Sequence, residues 1–206
     1  MTSVPKEGVA KSSQTGTTAQ GADSNILPNV IKRISVLGAG ASNTACEQSL
    51  ASSFLISADM AHSVNPNYSS KYEADHKPAM NKGTVIKVNA NARYATNSPG
   101  IVLLEETAHK AQVPLQRFVV RNDSSCQQPS FSMRSLDRAD KHAGGSTIGP
   151  MLSAALGTRT VDVGNAQLSM HSIRETGGVL DVAYSIALFQ KFFECYSDLE
   201  RNIIVD

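Results

Sequence analysis

The 206-residue chain is 41% apolar and carries 19 basic against 18 acidic side chains, for a net charge of +1. That balance leaves no electrostatic footprint for nucleic acid or an anionic membrane, and the apolar share is enough for the core of one domain. No run of about 18 apolar residues suggests a membrane span, Met1-Thr2-Ser3-Val4-Pro5 leads into no signal-peptide core, and Cys46, Cys126 and Cys195 are too scattered for a disulfide framework or zinc knuckle, so the expectation is a soluble intracellular chain.

Residues 1–24 are rich in Ser, Thr, Gly, Ala, Gln and Lys, a composition that buries too little to offset its ordering entropy, and are expected to be disordered. From Asn25 onward Ile26, Leu27, Val30, Ile31 and Ile34 recur at helical spacing, with Pro28 where a first turn tolerates it. Phe54-Leu55-Ile56-Ser57 and Thr84-Val85-Ile86-Lys87-Val88-Asn89 read as strands, which puts Asp59 just past a strand end. Ser98-Pro99 reads as a capping serine and a first-turn proline, opening a helix that ends near Gln112, ahead of Pro114.

Leu115 to Val120 follows as a strand, Ile148 to Leu156 as a helix closed by Gly157, Thr158 to Val163 as a strand, and Val179 to Tyr196 as a long amphipathic helix. Strand–helix alternation of this kind predicts an α/β sandwich. Gln127 to Gly144 breaks the rhythm: it is polar and aperiodic, far longer than the usual connection of about 4–6 residues, and reads as an inserted loop.

Ile34 to Asn43, containing Gly38 and Gly40, imitates a strand running into a dinucleotide-binding turn, with Asp59 at about the ribose distance of roughly 20 residues. Asn43 stands where the third glycine belongs and Thr44 to Ser53 is short for a crossover helix, so a flexible surface loop is the better reading. Gly144-Gly145-Ser146-Thr147 reads as a glycine turn with Ser146 or Thr147 capping the next helix rather than as an anion site, and no Gly-x-Ser-x-Gly elbow is present.

Taken alone, Asp59 suits a turn and His171 a partly buried histidine. Their surroundings change the reading. Phe54 through Tyr68, with Ser57-Ala58-Asp59-Met60-Ala61-His62 at its centre, resembles the segment of aspartyl aminopeptidases whose aspartate binds one zinc and whose first histidine contacts substrate. The resemblance assigns those roles to Asp59 and His62. Gln167-Leu168-Ser169-Met170-His171-Ser172-Ile173-Arg174-Glu175 resembles the family segment whose histidine binds the other zinc, which implies His171. Gly83 to Asn89 with Arg93-Tyr94 is similar to the segment that holds the substrate through a lysine and a tyrosine, here Lys87 and Tyr94. The likeness runs from about Ala19 to Asp206 apart from the loops.

It implies a three-layer sandwich of the zinc-exopeptidase type, two zinc ions, peptides with an acidic N-terminal residue as substrates, a homo-oligomer, and a cytoplasmic or vacuolar location. Residues 25–206 would be the C-terminal part of the catalytic domain, with the insert at 127–144.

Departures from the family pattern set further expectations. Ser12 and Ser13 occupy the ungapped positions of the family's Glu-Glu pair, Asn65 stands in place of a second histidine, and the other ligands have no counterpart, so the catalytic glutamate is absent. Each zinc would keep one ligand, Asp59 or His171, against about three in a catalytic site. Weak zinc binding and no hydrolysis by the chain alone are therefore expected. Asn122 to Cys126 and Gly145 to Pro150 look like halves of one family word split by the insert, as an incomplete or wrongly spliced gene would give. The rival readings are a non-catalytic fragment that binds full-length subunits and a dinucleotide-binding protein using Gly38 and Gly40.

Overall fold

The computed structural model describes residues 19, 21–38, 42–121 and 147–202. Most of the N-terminal segment expected to be disordered, the 127–144 insert, the Asn122 to Cys126 half of the split word, Gly145 and Ser146 of its other half, and Gly40 lie outside the described residues. Two helices come first, α1 (Ile26–Ser35) and α2 (Ala45–Ala51), followed by β1 (Phe54–Ala58), β2 (Ala61–His62), a 3-10 turn over Pro66–Lys71, and β3 (Thr84–Val88). Next come α3 (Ser98–Ala111), β4 (Leu115–Val119), α4 (Ile148–Leu156), β5 (Arg159–Gly164), β6 (Ala166–Leu168), β7 (Thr176–Gly177) and α5 (Val179–Asn202).

Four strands form the main sheet in the order β1-β5-β3-β4. β1 runs parallel to β5 and β3 parallel to β4, while β3 and β5 are antiparallel. β2, β6 and β7 make a small second sheet. Period-two alternation splits the main sheet into two unlike faces. On one, Ile86, Val161 and Val163 pack with Leu104 and Ala108 of α3 and Leu188 of α5, with Phe54, Ile56 and Leu115 at the margin. Six side chains of this cluster are fully or nearly fully buried, which makes it the main apolar core. The other face carries a smaller cluster of Ala61, Val85, Phe118, Val120 and Ala166, with Tyr72 and Tyr94 against it.

That second face is where polarity enters. The register sets Ser57 of β1 level with Asp162 of β5, and the β5–β3 pairing puts Lys87 level with Asp162 and, across β4, with Phe118. A row of polar side chains thus crosses three adjacent strands, and all three are buried: Ser57 at 3%, Asp162 at 0% and Lys87 at 2% exposure. Charged groups are seldom buried unless paired, so this row marks a site rather than a packing face.

One local expectation needs correction. The cap of α3 is Asn97, whose side-chain oxygen accepts the Gly100 N–H at 3.0 Å, and Ser98 is already helical. The helix-spaced apolar residues from Ile26 form α1 and continue through Ile34 and Ser35, so no strand begins there. A glycine turn at Gly38 therefore lacks the preceding strand that a dinucleotide fingerprint requires. Thr44 to Ser53, short for a crossover helix, contains only the two-turn α2.

Candidate functional site

The site grows from the end of β1. Asp59 continues that strand by one backbone bond, its N–H donating to the Val163 carbonyl at 3.0 Å, before the chain leaves the main sheet for β2. Gly164 makes this exit possible: a Cβ there would lie 1.7 Å from the Asp59 carbonyl oxygen, so only a hydrogen fits. The Asp59 carboxylate is half exposed, with Oδ1 accepting the Met60 N–H at 2.7 Å and Oδ2 standing 3.8 Å from the Lys87 ammonium.

Lys87 reaches this point from inside the sheet. Its Nζ donates to the Met60 carbonyl at 3.3 Å and lies 5.4 Å from the centre of the Tyr94 ring, a cation–π arrangement. Burial pushes the Lys87 pKa below the usual lysine value, while the Asp59 and Asp162 carboxylates pull it back up. The group is an ammonium held by negative neighbours in an otherwise dry place, without a close bidentate partner.

His62 sits on β2 beside this cation. Its pKa falls to about 4, first from burial and then from the charges of His171 and Lys87, against an upward pull from Asp59. The ring is therefore neutral near pH 7, and its Nδ1 is buried with no hydrogen-bond partner. A neutral imidazole with a buried nitrogen to spare is suited to receive or orient a ligand group.

His171 lies in the turn after β6, in the left-handed region at φ 65°, as does Ser169 at 57°. Non-glycine residues pay about 1 kcal/mol or more for this conformation. The turn is held by Glu175, whose Oε1 accepts the His171 N–H at 2.5 Å, by the Ser172 N–H on the Ser169 carbonyl, and by the Ser172 hydroxyl on the Arg174 carbonyl. The His171 side chain projects from an exposed residue, close enough to His62 for its charge to be felt there.

The structure thus gathers Asp59, His62, Lys87 and Tyr94 at one edge of the second face and sets His171 at its border. Carboxylate oxygen from Asp59 and imidazole nitrogen from His171 suit zinc in kind. Among the described residues no group of three or more His, Cys, Asp and Glu side chains could hold a metal, so these two donors are a partial set.

Residues that the sequence pattern did not single out support the site. Glu175 props the His171 turn, and buried Asp162 binds the Ala95 N–H and the Thr147 hydroxyl, both at 2.6 Å. Asp181, at 0% exposure, accepts the Asn81 and Gly83 N–H groups ahead of β3 at 2.7 and 2.8 Å. The usable signal was a lone acidic residue inside an otherwise apolar, β-branched strand, as in Thr160-Val161-Asp162-Val163. Among the described residues no helix is long and apolar enough to cross a membrane.

Residues 13–193 match the family described as aminopeptidase I zinc metalloprotease (M18). The chain is 60% identical over 200 residues to an aspartyl aminopeptidase of Aspergillus oryzae and 50% identical over 195 residues to aspartyl aminopeptidase 4 of Saccharomyces cerevisiae. These alignments cover 92% and 91% of this chain but 36% of each relative, so the chain spans about a third of their length.

Among solved structures it is similar to a chain in the cryo-EM structure of the Ape4 and Nbr1 complex, with a TM-score of 0.81 and 50% identity over 95% of this chain and 33% of that one. It also resembles the mApe1 dodecamer of Saccharomyces cerevisiae, with a TM-score of 0.71 and 31% identity over 91% of this chain and 37% of that one. With the family match over residues 13–193 and nearly the whole chain aligned to aspartyl aminopeptidases, the protein belongs to the M18 family of aminopeptidase I zinc metalloproteases.

Proposed function

We propose that this chain forms the part of a two-zinc aspartyl aminopeptidase site that recognises the acidic N-terminal side chain of a peptide and contributes one ligand to each metal. The observation that carries this reading is the buried Lys87 ammonium, 2% exposed, facing the Tyr94 ring, with the Met60 carbonyl at 3.3 Å and the nearest Asp59 carboxylate oxygen at 3.8 Å. A cation in a water-poor place whose only ion-pair distance among the described residues is 3.8 Å favours a carboxylate that can approach to hydrogen-bond distance. Neutral His62 stands beside it to accept or donate one hydrogen bond to the peptide.

Asp59 and His171 are the donors offered to zinc, which when bound supplies Lewis-acid polarisation of the scissile carbonyl and an activated water. Two donors fall short of the roughly three protein ligands of a catalytic zinc. On this reading the chain by itself binds zinc weakly and releases no amino acids. The high identity to aspartyl aminopeptidases supports acidic N-terminal residues as the substrate class. The likeness to a dodecameric relative supports assembly with further copies.

The test is a zinc titration of the purified chain by chelator competition, together with an assay for free aspartate from an aspartyl peptide. The expected result is weak zinc uptake, reduced further by Asp59→Ala and by His171→Ala, with no aspartate released. Metal-dependent release of aspartate, or zinc affinity indifferent to both substitutions, would overturn the proposal.

A further inference from the structure

We propose that Asp162 is a positioning residue of the acidic-side-chain subsite: by gripping the Tyr94–Thr96 segment it keeps the Tyr94 ring over the Lys87 ammonium. The inference rests on the reading of Lys87 and Tyr94 given above and adds a residue that touches neither substrate nor metal.

Asp162 lies in the middle of β5, 0% exposed, level with Lys87 on one side and Ser57 on the other. It holds consecutive residues of the neighbouring loop with both of its chemistries. The side-chain Oδ2 accepts the Ala95 N–H at 2.6 Å, and the backbone N–H of Asp162 donates to the Thr96 hydroxyl at 3.0 Å. Ala95 and Thr96 directly follow Tyr94 in a stretch, between β3 and α3, that has no helical or strand hydrogen-bond ladder. Fixing these two residues fixes where the Tyr94 backbone enters the site.

The remaining oxygen completes the mount. Oδ1 accepts the Thr147 hydroxyl at 2.6 Å, which is why Thr147, although at the cap position of α4, makes no side-chain bond to that helix. Gly149 in the first turn of α4 approaches so closely that a Cβ would lie 2.4 and 2.5 Å from the two carboxylate oxygens. The carboxylate is therefore enclosed by a helix N-terminus, which favours an anion, and by donors from two segments. A residue fixed on so many sides cannot yield when a substrate presses on Tyr94.

The chemistry distinguishes substitutions. Asparagine keeps one carbonyl oxygen for the Ala95 N–H, and its amide can face the Thr147 hydroxyl, which rotates to accept. Alanine can do neither.

The experiment uses the 206-residue chain with 13C-labelled lysine and reads the Lys87 Cε–Hε signal, which the Tyr94 ring displaces and which Tyr94→Leu returns to the ordinary lysine position. Asp162→Ala is expected to lose this displacement as Tyr94→Leu does, with the dispersion of other signals kept, and Asp162→Asn to retain it. In parallel, affinity for an aspartyl dipeptide should fall about tenfold in the alanine variant and recover in the asparagine variant.

A folded Asp162→Ala chain with the wild-type Lys87 signal overturns the proposal, as does equal loss in both Asp162 variants. If the alanine variant does not fold, Thr96→Val removes the backbone-side bond at constant volume. A partial loss of displacement is then expected, and an unchanged signal overturns the proposal. A wild-type chain that binds aspartyl and asparaginyl dipeptides equally would instead sink the reading of Lys87, leaving the ring-current result to judge Asp162 separately.

Discussion

Gly164→Ala probes how the fold delivers Asp59. The added Cβ would start 1.7 Å from the Asp59 carbonyl oxygen and 2.6 Å from its carbon. Contacts below 3.0 Å are essentially never seen for a real Cβ, so the end of β1 must retreat from β5 by at least 3.0 − 1.7 = 1.3 Å. Both atoms belong to backbone, so no rotamer change relieves the overlap. The retreat stretches the 3.0 Å bond from the Asp59 N–H to the Val163 carbonyl beyond useful range. A lost hydrogen bond of about 1 kcal/mol adds to an overpacking cost of about 1–3 kcal/mol, a total of roughly 2–4 kcal/mol.

For a chain of this size that lowers Tm by about 4–16 °C, measurable by circular dichroism in a thermal or urea melt. Zinc affinity should fall as well, because the Asp59 carboxylate moves with its backbone. A variant within about 0.5 kcal/mol of wild type that binds zinc as well as wild type would refute the reasoning.

Three further outcomes are expected. Asp181→Ala strands the buried Asn81 and Gly83 N–H groups, and a loss of about 2–5 kcal/mol in urea denaturation is expected; Asp181→Asn should be milder because one acceptor oxygen remains. Glu175→Ala frees the His171 N–H, so exchange of that amide should quicken by about fivefold or more while global stability changes by about 1 kcal/mol or less. His62 gives a pH signature in chelator-treated protein: with its folded pKa near 4 and an unfolded value of 6.5, the unfolded chain binds the extra proton between those values. The stabilisation is complete above pH 6.5 and falls by up to about 3 kcal/mol as pH drops to 4, and His62→Gln should flatten that part of the profile.

Long periodic elements were legible from the sequence because burial of a single face dictates their pattern. Ile148 to Leu156 with its closing Gly157 folds as read, Gly157 taking the left-handed φ of 63°. The strands around Ile86 and Val161 were found within a residue or so of their ends. Pairs and triplets such as Ala61–His62, Ala166–Leu168 and Thr176–Gly177 were missed, since two or three residues cannot show an alternation and are fixed by their neighbours in the sheet. The α3 cap was misread by one position because both Asn97 and Ser98 can cap, and only the observed bond to the Gly100 N–H decides between them.

The candidate site divides in the same way. Asp59, His62, Lys87, Tyr94 and His171 were singled out as candidates through local words, because family segments keep neighbouring residues together. Asp162 and Asp181 act through partners 15 to 100 positions away, which no local pattern reveals. Their mark in the sequence is only a charge where an apolar residue is expected. The burial that makes them important appears only when β5 and α5 are folded against β3.

The central claim is that the Lys87 ammonium reads an acidic N-terminal side chain, and calorimetric affinity of the chain for aspartyl against asparaginyl dipeptides, with and without Lys87→Met, tests it most directly. A buried charge-assisted hydrogen bond of about 1.5–3 kcal/mol predicts that wild type prefers the aspartyl dipeptide by roughly ten- to a hundredfold and that Lys87→Met loses the preference. A Lys87→Met chain that keeps the full preference for aspartate, folded as in wild type, would contradict the account.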